Sequence, residues 1–143
     1  YAHAAALVDQ TDLPIGDATL QRIRPGKTCS AKDYLNARKQ FINWQAEFKA
    51  HMAGIDALLT PTTTGAAIPV VDVDEQLLPA HYTRATNVLG LCSLAIPNGL
   101  SDEGLPLSLC MHGHPYTEST ILRIGWSLEQ QFKGLVTSPP GLD

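Results

Sequence analysis

Strand-forming sequence is scarce in this chain, and that scarcity confines what it can become. Three short apolar runs read as strands: residues 56–61, halted by Pro61; residues 93–97, ending in Ile96-Pro97; and residues 105–111. The first is expected as a buried strand with cover on both sides. Asn98-Gly99 and Glu103-Gly104 punctuate the turn between the other two, which predicts a hairpin with a long loop. Three such strands standing alone would leave edges of unpaired N–H and C=O groups and uncovered faces, so further strands from elsewhere are implied.

Helical signals fill the intervals. Residues 1–6 read as the end of a helix and residues 17–24 as another short one, stopped by Pro25-Gly26. The strongest helix starts after Ser30, an N-cap with Asp33 three residues on, and meets no Gly or Pro before Gly54. Tyr34, Phe41, Phe48 and Met52 recur along it with Leu35, Ile42 and Trp44 alongside, which predicts one buried face and one wet face. Residues 62–80 carry Thr62-Thr63-Thr64-Gly65, two prolines and the acids Asp72, Asp74 and Glu75, and read as a long surface loop. A helix is expected over 81–89, closed by Gly90. Another runs from the N-cap Thr117 to about Phe132, with Ile121, Leu122, Ile124, Gly125 and Leu128 as a close-packing stripe. Gly134 and Pro139-Pro140 are expected to end the ordered part.

Composition excludes several function classes. A hydrophobic content of 44% with 17% charged residues suits a packed core and argues against intrinsic disorder. The net charge of -4, with no basic cluster, offers nucleic acid no footprint. The longest apolar stretches fall far short of the roughly 20 residues that cross a bilayer. Cys29, Cys92 and Cys110 are an odd number at wide spacings, which suits a reducing cytoplasm better than a disulfide framework or a zinc knuckle. The 143 residues fit one modest domain or part of a larger one, and because the first is Tyr1, an upstream portion is expected.

The motifs that could carry chemistry are weak. Arg24-Pro25-Gly26-Lys27-Thr28 ends like a phosphate loop but has Gln21 where the first glycine should stand. His112 and His114 have no third ligand nearby in sequence and read as a surface pair; no metal site is expected. The acids of the 62–80 loop lack the glycine and glutamate of a calcium loop and read as solvated. No serine sits in a glycine-rich turn: Ser30 reads as a cap, Ser93 and Ser108 fall in strands, and Ser101, Ser119, Ser127 and Ser138 have no base or glycine cradle around them. Cys92 and Cys110 have apolar neighbours and read as packing groups.

Several segments, taken in order, resemble the C-terminal part of the amidase signature family: Asp56-Ala57-Leu58-Leu59-Thr60-Pro61-Thr62, Thr83-Arg84-Ala85-Thr86-Asn87-Val88-Leu89-Gly90-Leu91, Ser93-Leu94-Ala95-Ile96-Pro97-Asn98-Gly99 and Asp102-Glu103-Gly104-Leu105-Pro106-Leu107-Ser108-Leu109. Gly113-His114-Pro115-Tyr116-Thr117-Glu118-Ser119-Thr120-Ile121-Leu122-Arg123 continues the likeness, which is closest over residues 34–129 and extends to Tyr1. The resemblance implies an α/β fold, with residues 1–143 as the C-terminal part of a mixed β-sheet covered by helices on both faces. It also implies a serine, a second serine and a lysine that open amides, all in an upstream half, so no catalytic residue is carried over. The chain alone is expected to be inactive, needing no cofactor, with a small amide as the intact enzyme's substrate, no nucleic-acid or membrane partner, and a homodimer through the open sheet as the oligomer to test.

The strand end at Pro61 opens into hydroxyls where an α/β sheet receives ligand. Thr62, Thr63, Thr83 and Asn87 are therefore the substrate-binding candidates, with turn formation, capping and helix-end hydrogen bonding as their simpler roles. The chain also departs from the family pattern. Cys92 stands where proline is common, Cys110 where glutamine is, and His112 where an apolar residue is. Amidotransferases of the A type commonly carry an aspartate where this chain has Ala80, so a general amidase or carbamoyl-type hydrolase is expected ahead of a glutamine-handling role. A non-catalytic interaction module is the competing reading.

Overall fold

The computed structural model describes residues 1–10, 12–77 and 79–132, which leaves the expectation about Gly134 and Pro139-Pro140 outside the described residues. Two compact units are present, one of residues 1–42 with 74–77 and one of residues 43–73 with the rest.

The first unit holds α1 (Ala5–Val8), α2 (Asp17–Ile23), a 3₁₀ turn (Arg24–Lys27) and the start of α3 (Ala31–His51). Pro25 does not stop the chain cleanly; it sits at the start of the 3₁₀ turn, where its missing N–H costs nothing. The phosphate-loop look of this stretch ends there, since the turn leads into no helix N-terminus at Lys27, whose ammonium instead pairs with Asp9 at 3.3 Å. The start of α3 is as its sequence requires. The Ser30 hydroxyl accepts from Asp33 N–H at 3.1 Å, and the Asp33 carboxylate accepts from Ser30 N–H at 3.3 Å, a reciprocal capping box.

The amphipathic reading of α3 needs correction. No residue of this 21-residue helix is buried; Leu35 is 63% exposed and Ile42 59%. The periodicity is real, but the described residues do not supply enough surface to cover the stripe. Met52, just past the helix end, is the one residue of the predicted series that is buried, at 4% exposed.

The second unit is built on a three-stranded antiparallel sheet of order β1-β3-β2, from β1 (Leu58–Pro61), β2 (Cys92–Leu100) and β3 (Pro106–Gly113), with α4 (Arg84–Leu89) and α5 (Glu118–Gln131) beside it. The α/β class and the hairpin both hold. β1 is not the buried strand expected. Among the described residues it is an edge, with Leu58 and Leu59 about half exposed, and Pro61 is tolerated as its last residue because its missing N–H would face away from β3.

Alternation along β2 and β3 sorts the sheet into two faces. Leu94 and Ile96 share one face with Leu109 and Met111, covered by α5 through Ile121, Ile124 and Leu128. Met111 is wholly buried and Ile121 2% exposed, so each contributes on the order of 1.5–3 kcal/mol by leaving water. Leu122, expected in the stripe, is 58% exposed because it points away from the sheet. Thr117 does occupy the N-cap position, but its hydroxyl donates to His114 C=O at 2.8 Å and makes no cap bond. The opposite face presents Ser93, Ala95, Cys110 and His112. No helix among the described residues is long and apolar enough to cross a membrane.

Candidate functional site

The polar face of the sheet carries the site. Ser93 lies directly opposite His112 in the β2–β3 register, and Leu58↔His112 pairing brings Thr60 of β1 to the same face. His112, 3% exposed, is held by hydroxyls on both ring nitrogens. Nε2 lies 2.9 Å from Thr60 Oγ1; Nδ1 lies 2.8 Å from Ser93 Oγ and 2.9 Å from Thr86 Oγ1. The two hydroxyls at Nδ1 are 3.1 Å apart. Burial pushes the imidazole below its ordinary value, favouring the neutral ring that such a hydroxyl cluster can satisfy. Reading His112 and His114 as a surface pair was therefore wrong for His112, because the strand turns it toward the sheet's polar face, where a desolvated ring must find partners. His114 goes elsewhere, its Nε2 3.1 Å from Ile55 C=O. Ser93, read from sequence only as a strand residue, meets a base from across the hairpin, 19 residues away.

α4 forms the wall above this cluster. Its end is fixed by Gly90, at φ 68° in the left-handed region, with Leu91 N–H reaching back to Thr86 C=O at 3.0 Å. Its start has Thr83 at the N-cap position without a side-chain cap bond. Thr83 and Asn87, four residues apart, share one face of the helix. Together with Ala80, Arg84, Thr86 and Ser93 they line an open groove of about 430 Å³. A separate, mainly apolar groove of about 490 Å³ lies against Trp44, Phe48, Val88 and Leu89.

The four residues singled out from sequence thus divide. Thr83 and Asn87 meet in the groove below α4. Thr62 and Thr63 do not line it; they follow β1, where the Thr63 hydroxyl donates to Gly65 C=O at 2.8 Å, the turn-forming role. Thr62 N–H extends the sheet by one bond to Ser108 C=O at 3.1 Å, while its hydroxyl oxygen is buried with no hydrogen-bond partner. Asn98 Oδ1, at the bulge in β2, is in the same condition.

Cys92 and Cys110 behave as packing groups. Cys110 is buried and desolvation raises its thiol above the ordinary value; Cys92 is half-buried, with Sγ donating to His114 C=O at 3.2 Å. Among the described residues no group of three His, Cys, Asp or Glu side chains could hold a metal ion. The acids of the loop are exposed, and the Asp74 carboxylate accepts from Gln76 N–H at 2.9 Å, ordinary turn chemistry.

The chain matches the amidase family over residues 8–122. It is 38% identical over 103 residues to the A-type polypeptide of the glutamyl-tRNA(Gln) amidotransferase of Nitrobacter hamburgensis, covering 68% of this chain and 21% of that one. Among solved structures, the peptide amidase of Stenotrophomonas maltophilia superposes with a TM-score of 0.69 at 28% identity, over 99% of this chain and 28% of that one. A 6-aminohexanoate cyclic dimer hydrolase superposes with a TM-score of 0.78 at 16% identity, over 94% and 31%, a likeness of fold alone. The chain spans about a fifth of the length of the curated relatives it matches.

Proposed function

Because the chain belongs to the amidase family, we propose that it forms part of an enzyme that hydrolyses carbon–nitrogen amide bonds through a serine acyl-enzyme, and that its own share is a wall of the substrate pocket. The observation that carries this reading is the groove itself. Thr83, Asn87 and Arg84 bring a hydroxyl, a carboxamide and a guanidinium to one concave surface, the donor and acceptor set that orients a small polar substrate. Opening an amide also requires a proton for the departing amine and a well-supported base. Residues 1–143 alone are expected to give no amide turnover, since among the described residues no serine is hydrogen-bonded to a lysine.

The amidotransferase reading has the 38% identity in its favour. Against it stands Ala80, which lines the groove and presents no carboxylate to a glutamine's ammonium group. The protein as its cells make it is therefore expected to hydrolyse simple amides faster than free glutamine. Thr83→Ala and Asn87→Ala should each raise KM severalfold, the loss of about one neutral hydrogen bond. Absence of amide hydrolysis, or unchanged kinetics in both variants, would count against the pocket; glutamine hydrolysis dominating would favour the amidotransferase reading.

A further inference from the structure

We propose that Ser93 is a second nucleophilic hydroxyl, activated by His112, whose ring Thr60 orients, and that it accepts one acyl group from a small activated ester entering the groove below α4. A nucleophile within hydrogen-bond reach of a base that is itself held by a third group is the arrangement acyl transfer needs, and all three are here. Ser93 Oγ is 2.8 Å from His112 Nδ1, and His112 Nε2 is 2.9 Å from Thr60 Oγ1. With Nε2–H donating to Thr60, Nδ1 carries the lone pair that accepts the Ser93 proton. The ring is buried while Ser93 is exposed and lines the groove, so the base is shielded and the nucleophile open. Arg84 and Asn87 bring N–H donors to the same groove, where negative charge would develop on the attacked carbonyl.

The step balances without any further reactant. Ser93 Oγ forms a bond to the acyl carbon as its proton passes to His112 Nδ1; the bond to the leaving oxygen breaks, and that oxygen takes the proton from Nδ1, giving the Ser93 ester and an alcohol. Among the described residues the imidazole's hydrogen-bond partners are hydroxyls and none is a carboxylate. The imidazolium that forms therefore has weak support, which suits one slow acylation of an activated ester and not turnover of an amide.

The probe is an alkyl fluorophosphonate, whose phosphorus takes the acyl carbon's place with fluoride as leaving group, applied to the protein as its cells make it and mapped by mass spectrometry. An adduct at Ser93 is expected, mapped separately from any at the acyl-forming serine that the proposed function requires. His112→Gln, which keeps a hydrogen-bonding side chain without a comparable base, should slow that adduct by about 100-fold, the lower end of a general base's contribution. Thr86→Val removes the hydroxyl that competes for Nδ1 and should label Ser93 at least as fast as the parent. An unlabelled Ser93 in the unmodified protein, an unchanged rate in His112→Gln, or loss of the adduct in Thr86→Val would each overturn the assignment. Because the readout is the mapped position of one adduct, it fails or succeeds independently of amide turnover.

Discussion

Gly125 of α5 lies against the Leu94 side chain of β2 so closely that no β-carbon fits between them, with Met111 Cε only 3.1 Å from where one would sit. The helix can approach the sheet to this depth because the residue facing it has no side chain, and the approach is what buries Met111 and Ile121.

Gly125→Ala sets two effects against each other. Alanine is favoured over glycine inside a helix by about 1 kcal/mol, whereas overpacking a filled core costs about 1–3 kcal/mol. Leu94 is packed against the core cluster and has little room to turn, so the clash wins and the variant should lose about 1 kcal/mol. Urea unfolding should show a lower midpoint at unchanged slope. Leu94→Ala in the same background should recover part of the loss, the signature of a coupled pair.

Met111→Ala should cost about 2–5 kcal/mol, since a wholly buried side chain leaves a cavity that two strands and a helix cannot close. The same urea titration checks it, and Leu122→Ala, more than half exposed on α5, should stay within about 0.5 kcal/mol of the parent.

Ser30→Ala removes one half of the capping box and should destabilise the first turn of α3 by about 0.5–2 kcal/mol. Amide hydrogen exchange should rise severalfold over residues 31–34 and little beyond the middle of the helix. Equal exchange along the first turn in both proteins would remove the cap from the account of why α3 starts where it does.

Stability should fall as the solution is acidified. Burial keeps the folded imidazole of His112 below the ordinary 6.5, so the folded ring stays neutral while the unfolded chain takes up a proton as pH drops past about 6.5. The effect is absent above that value, grows below it, and levels off once the folded ring's own lower value is reached. Urea midpoints taken between about pH 8 and about pH 5 should decline in the parent more steeply than in His112→Gln.

Local chemistry was legible in the sequence wherever neighbours along the chain decide the outcome. Ser30 and Asp33 are three residues apart and cap α3; Gly90 ends α4 in a conformation that suits glycine; Glu103-Gly104 marks the hairpin turn, whereas Asn98-Gly99, expected in that turn, lies inside β2 at its bulge. Burial was less legible. α3 has the periodicity of a helix with one covered face, and β1 the composition of a central strand, but composition records what a segment is suited to pack against and not whether the described residues provide it.

The pair at the site lay beyond sequence for a geometric reason. Continued without a break, the pairing Leu100↔Pro106 would set Ser93 opposite Gly113; the irregularity between Pro97 and Gly99 shifts the register by one residue and sets it opposite His112. The sequence by itself determined the start of α3, the end of α4, the hairpin and the family to which the chain belongs. Only the tertiary structure decided which imidazole meets which hydroxyl, because a single bulged residue chooses between a glycine and a base, and its effect is read on a neighbouring strand.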